Sequence, residues 1–329
     1  MKTSKKLALS YLVLLLCFLL SLLLGRYPLS IGDIINILLG KDSGSMSANV
    51  FYNIRLLRSA EVLLAGMALS LAGYLYQSAF HNALVSPDTL GVSGGASVGA
   101  IVAILFFEGG FLTRQIFSFF GGILAVLLSL LLAKLIGENR RMSLLLSGVI
   151  CGALMNSLIM ALKYLADPMT QLAVIDYWLM GSFSLINRSK LLSTAVPVIP
   201  AIIICILMRH RFKALLLNEE EGASLGVRMP LLYLACIVLS TLLTASVVSV
   251  SGIVSWIGLL APHIVSVLFR SSFEETLCLS LPIGASFLLI ADILSRTLSA
   301  AEIPVSILTS FLGAILLFIF LFLKRRKAL

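Results

Sequence analysis

Residues 209–229 read RHRFKALLLNEEEGASLGVRM and form a charged interior stretch in a strongly apolar chain. Asn218 is a suitable helix N-cap, and the three glutamates that follow it suit the positive first turn of a helix. The last of them stands at capping-box spacing, and Gly226 suits a helix stop that needs positive φ. The stretch therefore predicts a short helix over 218–226, after a shorter helical piece over 213–217. An ordinary surface loop and a compact contact site for a soluble partner are equally compatible with this pattern.

The rest of the chain is apolar enough to lie mostly in a membrane. Of its 329 residues, 60% are hydrophobic and 12% charged, and the mean hydropathy is +1.09. A helix needs about 20 mostly apolar residues to cross the hydrocarbon core of a bilayer. The composition argues against a globular enzyme and predicts an all-α, polytopic membrane protein with one domain over residues 1–329. Ten spans are predicted, at 7–24, 59–80, 90–107, 115–137, 143–165, 191–208, 229–249, 252–269, 276–295 and 304–323.

An even number of spans places both termini on one side of the membrane, and the basic residues indicate which side. Fifteen of the 24 Lys and Arg residues fall on the side of the termini, and nine fall on the other. Because basic residues concentrate in cytoplasmic loops, both termini are predicted to be cytoplasmic. The formal net charge of +9 is explained by residues that flank spans and by a KRRK tail suited to anionic lipid, so no nucleic-acid partner is expected.

The two longest segments on the other side carry interfacial patterns. Residues 25–53 are semi-polar and contain an amphipathic pattern over 31–39, which predicts a short helix at the membrane surface. Residues 166–190 contain Tyr177 and Trp178, which we interpret as interface anchors. The boundary between the seventh and eighth spans is placed at a small-residue turn near residue 250, because no charged residue divides that long apolar run.

The second and third spans hold the densest pattern of small and polar residues. Arg55 and Arg58 are three residues apart and share a helix face where the second span begins. Glycine or serine recurs at 66, 70 and 73, a stripe that favours close helix packing. Pro87 prevents the helix from continuing, and the run GVSGGASVGA at 91–100 has so little side chain that its backbone must approach a neighbour or a pathway.

Eight motifs follow one another along the chain: R-x-x-R, AGMALSLAG-x-x-x-Q, HNALVSPDTLGVSGGA, YWLMGS, EEGASLGV, GIVSWIGLLAPHIV, ADILSR and EIPVSILTSFLGA. Their succession resembles the permease family of ABC importers for iron–siderophore, haem and vitamin B12, from about residue 25 to the C-terminus. The resemblance implies inverted internal repeats, short cytoplasmic coupling helices and a dimer with its pathway along the twofold axis. It also implies a separate cytoplasmic ATPase, an extracytoplasmic substrate-binding protein, a bacterial cell-membrane location and no cofactor.

The resemblance assigns roles to residues on both sides of the membrane. Arg55, Arg58 and Arg296 match external arginines that pair with glutamates on the two lobes of the binding protein. The coupling helix that enters a groove on the ATPase matches Glu221, Gly222, Ala223, Ser224, Leu225 and Gly226. Candidate residues of the pathway or of close packing are Gln77, Asn82, Pro87, Gly91, Ser93, Gly94, Gly95, Pro262 and His263. A structural alternative for the arginines is pairing with Glu61 or Asp292 inside the chain.

Two other functional classes have some support in the sequence. Residues 91–95 fit G-x-S-x-G, so an intramembrane serine hydrolase would use Ser93 as nucleophile and His263 as base. That motif needs a strand-to-helix turn, whereas this serine lies in a small-residue run between helices. An ion-coupled transporter would need a carboxylate in mid-membrane, but Glu61 and Asp292 lie near span ends. The sequence has no P-loop, and three histidines with scattered cysteines predict no metal site.

The cargo is the most specific prediction from the sequence. A ferric siderophore is favoured because it is the commonest cargo of the family that the chain resembles, with haem and cobalamin as alternatives. A homodimer is expected, and a heterodimer remains compatible with the sequence.

Overall fold

Ten apolar helices, at the places of the ten predicted spans, account for most of the residues that the structure describes. The structure, a computed structural model, describes residues 3–41, 45–107, 110–137, 140–217, 219–269 and 271–326, and every regular element in these ranges is helical. Seven helices are long and apolar enough to cross a membrane, and three more are also apolar. The ten are α1 (Thr3–Leu23), α4 (Leu56–Phe80), α5 (Val92–Phe106), α6 (Phe111–Ile136), α7 (Arg140–Leu165), α9 (Arg188–Leu207), α12 (Met229–Ser251), α13 (Ile257–Phe269), α14 (Phe273–Thr297) and α15 (Val305–Arg326).

Short helices connect these long ones. The α-helical pieces are α2 (Ile31–Leu38), α3 (Met46–Asn49), α8 (Gln171–Leu179), α10 (Arg209–Phe212) and α11 (Glu219–Ser224). A π-helical segment, Val50–Arg55, leads into α4, and 3₁₀ turns occur at Pro87–Leu90 and Lys213–Leu216. The predicted amphipathic helix is confirmed as α2, where Ser30 and Asp33 form a capping box. Because the Ser30 backbone N–H and hydroxyl donate to the carboxylate, the pKa of Asp33 is lowered.

Contacts between α1 and α14 define the two ends of the bundle. Near the start of both helices, Lys6 Nζ lies 2.8 Å from Glu275 Oε2. Near the end of both, Arg296 Nη2 donates to the Ser21 carbonyl oxygen at 2.7 Å. We call the end with Lys6 and Glu275 the terminal end and the opposite one the distal end. The alternation of the helices brings 81–91, 208–217 and 219–228 to the terminal end, and 24–41, 45–55, 166–187 and 298–304 to the distal end.

Three helices form the centre of the bundle. Within the most apolar part of each helix, 78% of the residues are buried in α14 and 67% in α4 and α12, against 28–33% in α1, α6, α7 and α9. The largest cluster of buried hydrophobic residues extends from Leu14 to Val305 and so joins elements from both ends of the sequence. The peripheral helices therefore leave apolar faces for lipid or for other subunits. The single-domain assignment and the inverted repeats stay predictions.

The small residues of α4 and α5 allow backbones to touch, as predicted. A Cβ atom on Gly66 would lie 2.6 Å from the Ala285 Cα atom, and one on Gly73 would lie 1.9 Å from the Gly258 carbonyl oxygen. Glycine is required at both positions because any side chain would collide with a neighbouring backbone. Close approach of this kind is a main source of helix association in membranes, where apolar surface alone gives little preference for protein over lipid.

The start of one predicted span is wrong. The eighth span was placed at 252–269, but α12 continues to Ser251 and α13 begins only at Ile257. Gly252 and Trp256 both have a φ of 72°, which turns the chain between the two helices. At about 1.5 Å per residue, α13 is roughly 20 Å long, too short to cross a bilayer alone. The segment 166–190 contains the helix α8, which was not predicted, and the role of Tyr177 and Trp178 as interface anchors stays a prediction.

The glycine contact predicts a stability difference between two alanine variants. Gly73→Ala would force α4 away from α13, and overpacking of this kind lowers the free energy of unfolding by about 1–3 kcal/mol or more. Gly152→Ala is the matched control, because a Cβ atom there meets nothing within 4 Å and alanine favours a helix interior. Thermal unfolding of the two purified variants in detergent measures the difference. Equal midpoints would show that the α4–α13 contact is not tight.

Candidate functional site

Two arginines at the distal end share one buried carboxylate. Arg58 Nε donates to Asp292 Oδ1 at 2.9 Å, and its Nη1 donates to both carboxylate oxygens of Glu302 at 3.0 Å. Arg296 Nε lies 3.3 Å from Asp292 Oδ2. Charges can be buried at acceptable cost only when each has an opposite charge and hydrogen bonds beside it. The alternative prediction, that the arginines pair with Asp292 inside the chain, is thus confirmed for these two.

The distal arginines also cap the C-terminus of α1. Arg55 Nη1 donates to the carbonyl oxygens of Leu22 at 2.6 Å and Leu23 at 2.5 Å, and Arg296 Nη2 donates to that of Ser21. The last four carbonyl groups of a helix have no partner within the helix, and the helix dipole is negative there. Two guanidinium groups therefore satisfy carbonyl oxygens that would otherwise be buried without donors.

The distal docking surface expected at Arg55, Arg58 and Arg296 is not open in this structure. These side chains are only 3%, 5% and 5% exposed. They lie at the end opposite the termini, as predicted, but their contacts with the α1 carbonyl groups and with Glu302 were not predicted. Glu61, the other suggested partner, accepts a hydrogen bond from Thr194 at 2.8 Å instead. The docking role of the arginines stays a prediction.

At the terminal end, α11 is a short exposed helix held by one close contact. Gly222 is buried against Met229, whose Sδ atom would be 2.5 Å from a Cβ at that position. Ala223 and Leu225 are exposed, the latter by 69%. The predicted stop is confirmed, because Gly226 has a φ of 74° and its N–H donates to the Ala223 carbonyl oxygen at 3.0 Å. The proposed N-cap, Asn218, lies outside the described residues.

The segment before α11 is anchored to the bundle. Phe212 and Leu215 are fully buried, and the Leu215 carbonyl oxygen lies 2.6 Å from His81 Nε2. Lys213 Nζ is 3.3 Å from Glu274 Oε1 at the start of α14. Movement of this segment would therefore be transmitted to the ends of α4 and α14, which are central helices.

The side chain of Gln77 compensates for the backbone N–H that Pro262 lacks. Pro262 lies four residues after Gly258 in α13 and has no N–H to bond the Gly258 carbonyl oxygen. Gln77 Nε2 donates to that oxygen and to the Leu259 carbonyl oxygen, both at 3.2 Å. The side chain of α4 thus replaces a hydrogen bond that α13 cannot make, and it can do so because Gly73 brings the two helices together.

The G-x-S-x-G run packs helices and does not form a nucleophile site. Ser93 lies in the first turn of α5, and its hydroxyl donates to the carboxylate of Asp88. Gly91 has a φ of 80° and starts the helix, while Gly94 and Gly95 are close to side chains of α7 and α6. A serine in a helix, with its proton donated to a carboxylate, lacks the strand-to-helix turn of a serine hydrolase. The packing interpretation is the better one.

The remaining candidates separate into two places. Gln77, Asn82, Pro262 and His263 line a cavity of about 490 Å³ at the terminal end, close to the segment before α11. Pro87 is instead buried at the first position of the 3₁₀ turn that leads to α5. In the described part of the chain, no group of three or more His, Cys, Asp or Glu side chains is placed to hold a metal ion. The pathway role of these residues stays a prediction.

Known proteins resemble this chain over nearly its whole length. Residues 13–324 match the model of the FecCD transport family. The chain belongs to the FecCD transport family. Its fold agrees with an inward-facing structure of a metal-chelate type ABC transporter, with a TM-score of 0.88 and 33% identity over 97% of this chain and 99% of that one. It is therefore an ABC importer permease, a transport subunit and not an enzyme.

FecCD relatives differ in the cargo for which they are named. The molybdate import permease MolB of Haemophilus influenzae is 35% identical over 310 residues, which cover 92% of this chain and 91% of that protein. An iron chelatin transport permease of Helicobacter pylori is 38% identical over 265 residues, 80% of each chain. Further relatives are named for hemin and for vitamin B12. The family is settled by these matches, and the cargo is not.

The buried charges predict that one distal arginine is structural. Arg58→Ala leaves Asp292 and Glu302 without that cation, and removing one partner of a buried pair costs about 3–5 kcal/mol. Arg188→Ala, an exposed arginine at the start of α9, is the matched control and should change stability by less than about 0.5 kcal/mol. Thermal unfolding in detergent compares them. Equal stability of the two variants would contradict the structural role.

Proposed function

We propose that this FecCD permease carries a ferric chelate into the cytoplasm, driven by a separate ATPase and supplied by an extracytoplasmic binding protein. Support for an iron cargo comes from the H. pylori relative named for iron chelatin. Haem and cobalamin remain alternative cargoes because other relatives are named for them. The relative named for molybdate adds an oxyanion to these alternatives. In this proposal the terminal end faces the cytoplasm, as the distribution of basic residues predicts.

The single observation that carries the proposal of a separate ATPase is the helix α11, which is exposed and lies beside a segment packed against the bundle. Ala223 and Leu225 offer a small apolar contact surface, and Gly222 fixes the helix on the first residue of α12. A partner that binds this surface would pull on α12 through Met229 and on α4 and α14 through the segment 209–216. We therefore assign the ATPase contact to Glu221–Gly226 and the transmission of movement to the segment before it.

We place the binding protein at the distal end, above the arginine cluster. Glu302 is the accessible member of that cluster, since its side chain is 23% exposed while that of Asp292 is fully buried. A carboxylate from the binding protein would compete with Glu302 for Arg58. Docking through Arg58 therefore requires an exchange of ion-pair partners, because all three arginines of the cluster are buried and already bonded within the chain.

A second copy of the permease is proposed to pack near α7. Val149, Ala153, Asn156 and Met160 form one exposed stripe on this helix. The amide of Asn156 has no hydrogen-bond partner in the described part of the chain, and an unpaired amide facing hydrocarbon is costly. A twofold partner or a water-filled pathway would satisfy it. This stripe supports a homodimer, with a heterodimer as the alternative.

An ion-coupled mechanism is the rival class for this membrane protein. Asp292 is held by Arg58 and Arg296, so it has little capacity to bind a coupling ion. Glu61 is buried and receives one hydrogen bond from Thr194. The family favours ATP as the energy source, and the exposed α11 provides the surface that such a partner needs.

The coupling assignment predicts a defect at one small residue. Ala223→Glu would place an additional charge in the ATPase contact, and an unpaired charge buried in an interface costs about 2–5 kcal/mol. We expect loss of ATPase copurification with normal yield of the permease. Met169→Glu, at an exposed position of the distal end, is the control and should retain the ATPase. Full association and uptake in the Ala223 variant would contradict the assignment.

The cargo assignment is tested by uptake in the source cells with and without the gene. Deletion should lower accumulation of ⁵⁵Fe supplied as hydroxamate or catecholate chelates, and expression of the unaltered chain should restore it. Restoration must fail with Ala223→Glu, which separates transport from binding at the cell surface. A loss confined to molybdate, hemin or cyanocobalamin would replace iron chelate by that cargo while leaving the importer assignment intact.

A further inference from the structure

A cavity of about 220 Å³ opens at the distal end, apart from the arginine cluster and from α11. It lies between the start of α6, the helix α8, the start of α9 and the end of α12. Phe111 and Arg114 come from α6, Trp178 from α8, Lys190 from α9 and Ser251 from α12. Four separate elements therefore converge on one opening.

Backbone contacts give this cavity a fixed shape. The Ser182 N–H donates to the Ser251 carbonyl oxygen at 2.7 Å, which joins the end of α8 to the end of α12. At the same crossing, Gly252 is so close to α8 that a Cβ atom there would lie 2.2 Å from the Trp178 carbonyl oxygen. Walls that are held by backbone are formed before any ligand arrives, as is usual for binding sites.

Two cations face this cavity. Lys190 is only 9% exposed, and its Nζ atom lies 4.1 Å from the centroid of the Phe111 ring. Arg114 Nε is buried and has no hydrogen-bond partner. Within the described residues, neither side chain forms an ion pair. The carboxylate of Asp176 on α8 is already paired with Lys163 at 2.7 Å.

One buried carboxylate, that of Glu61, attracts Lys190, but its single charge does not balance both cations. Glu61 accepts a hydrogen bond from Thr194, one turn beyond Lys190 in α9, and its Oε2 atom has no hydrogen-bond partner. Two like charges in a partly desolvated space are unfavourable unless an anion joins them. Arg114 offers a planar fork that matches phosphate oxygens, and Lys190 adds a compact charge.

We propose that this cavity binds a phosphate-type oxyanion, either as a free ion or as the headgroup of an anionic phospholipid. Arg114 and Lys190 supply the charge, and Trp178 forms part of the wall. The position at one end of the bundle suits both sources, since aromatic and basic side chains gather at the level of lipid headgroups. The proposal does not depend on the cargo or on which side of the membrane the distal end faces.

Trp178 supplies a direct reporter. The chain has two tryptophans, so Trp256→Phe leaves Trp178 alone in the cavity wall. The full chain is placed in phosphatidylcholine nanodiscs and titrated with sodium phosphate, against sodium chloride at equal ionic strength. A parallel sample uses nanodiscs that contain phosphatidylglycerol. We expect a saturable change in Trp178 fluorescence with phosphate, with phosphatidylglycerol, or with both.

Charge variants distinguish the cavity from general electrostatic attraction. Lys190→Met and Arg114→Gln should each weaken the response at least about tenfold, which corresponds to about 1.4 kcal/mol. Lys190→Arg should retain it. Arg188→Gln removes the same charge from an exposed position in the same turn of α9 and should change the affinity less than about twofold. Gel filtration and helical circular dichroism verify that each variant is folded.

The titrations distinguish a free oxyanion from a lipid headgroup. A response to free phosphate in phosphatidylcholine identifies a soluble oxyanion, and a response only to phosphatidylglycerol identifies a lipid headgroup. The absence of any response in the Trp256→Phe chain overturns the proposal, and this result needs no charge variant to fold. An unchanged response in the folded Arg114→Gln/Lys190→Met double variant overturns it as well.

Discussion

The contact of α4 with α13 and α14 is the constraint on which the bundle depends. In lipid, helices gain little from burying apolar surface against each other, so close packing and hydrogen bonds determine which helices associate. Gly66 and Gly73 let the α4 backbone touch its neighbours, and this proximity allows Gln77 to bond the carbonyl oxygen that Pro262 leaves free. The glycines of α4 therefore have two effects. They let a central helix pack closely, and they bring a donor to the carbonyl oxygen that is left unpaired in the proline-containing helix α13.

The arginines at the distal end also find their partners within the chain. Arg55 and Arg296 donate to the last carbonyl groups of α1, while Arg58 and Arg296 share Asp292. Because these groups join α1, α4 and α14 at one end, they fix how the helices end relative to one another. Positive charge on this side thus has a structural use before any partner binds. Lys190 and Arg114 differ, because neither forms an ion pair among the described residues, although Glu61 attracts Lys190.

The sequence predicted the long elements well because their signals are local. Apolar runs, most of them separated by charged corners, located the ten apolar helices of the described residues, although the start of α13 was placed too early, and glycine at 226 marked the end of α11. The elements it missed depend on distant partners. Nothing near Trp178 shows that α8 will meet the end of α12, and nothing near residue 252 shows that α13 will start as late as Ile257. Likewise, the spacing of Arg55 and Arg58 indicates a shared face but does not decide which partners they meet. Arg55 meets the α1 carbonyl groups, and Arg58 meets Asp292 and Glu302, more than 200 residues away.

The two ends therefore offer partners different kinds of surface. At the terminal end, Leu225 and Ala223 are exposed on a helix whose other side is fixed by Gly222, so a partner can bind without breaking existing contacts. At the distal end, a protein that binds the arginine cluster must displace Glu302 from Arg58, and the displaced carboxylate must find water or another cation. Such an exchange gives a smaller net gain than a new ion pair, because each pair made replaces one that is lost. Docking at that cluster would accordingly be weaker and more reversible than a contact at α11, and it would loosen the tie between α4 and the 298–304 turn whenever it forms.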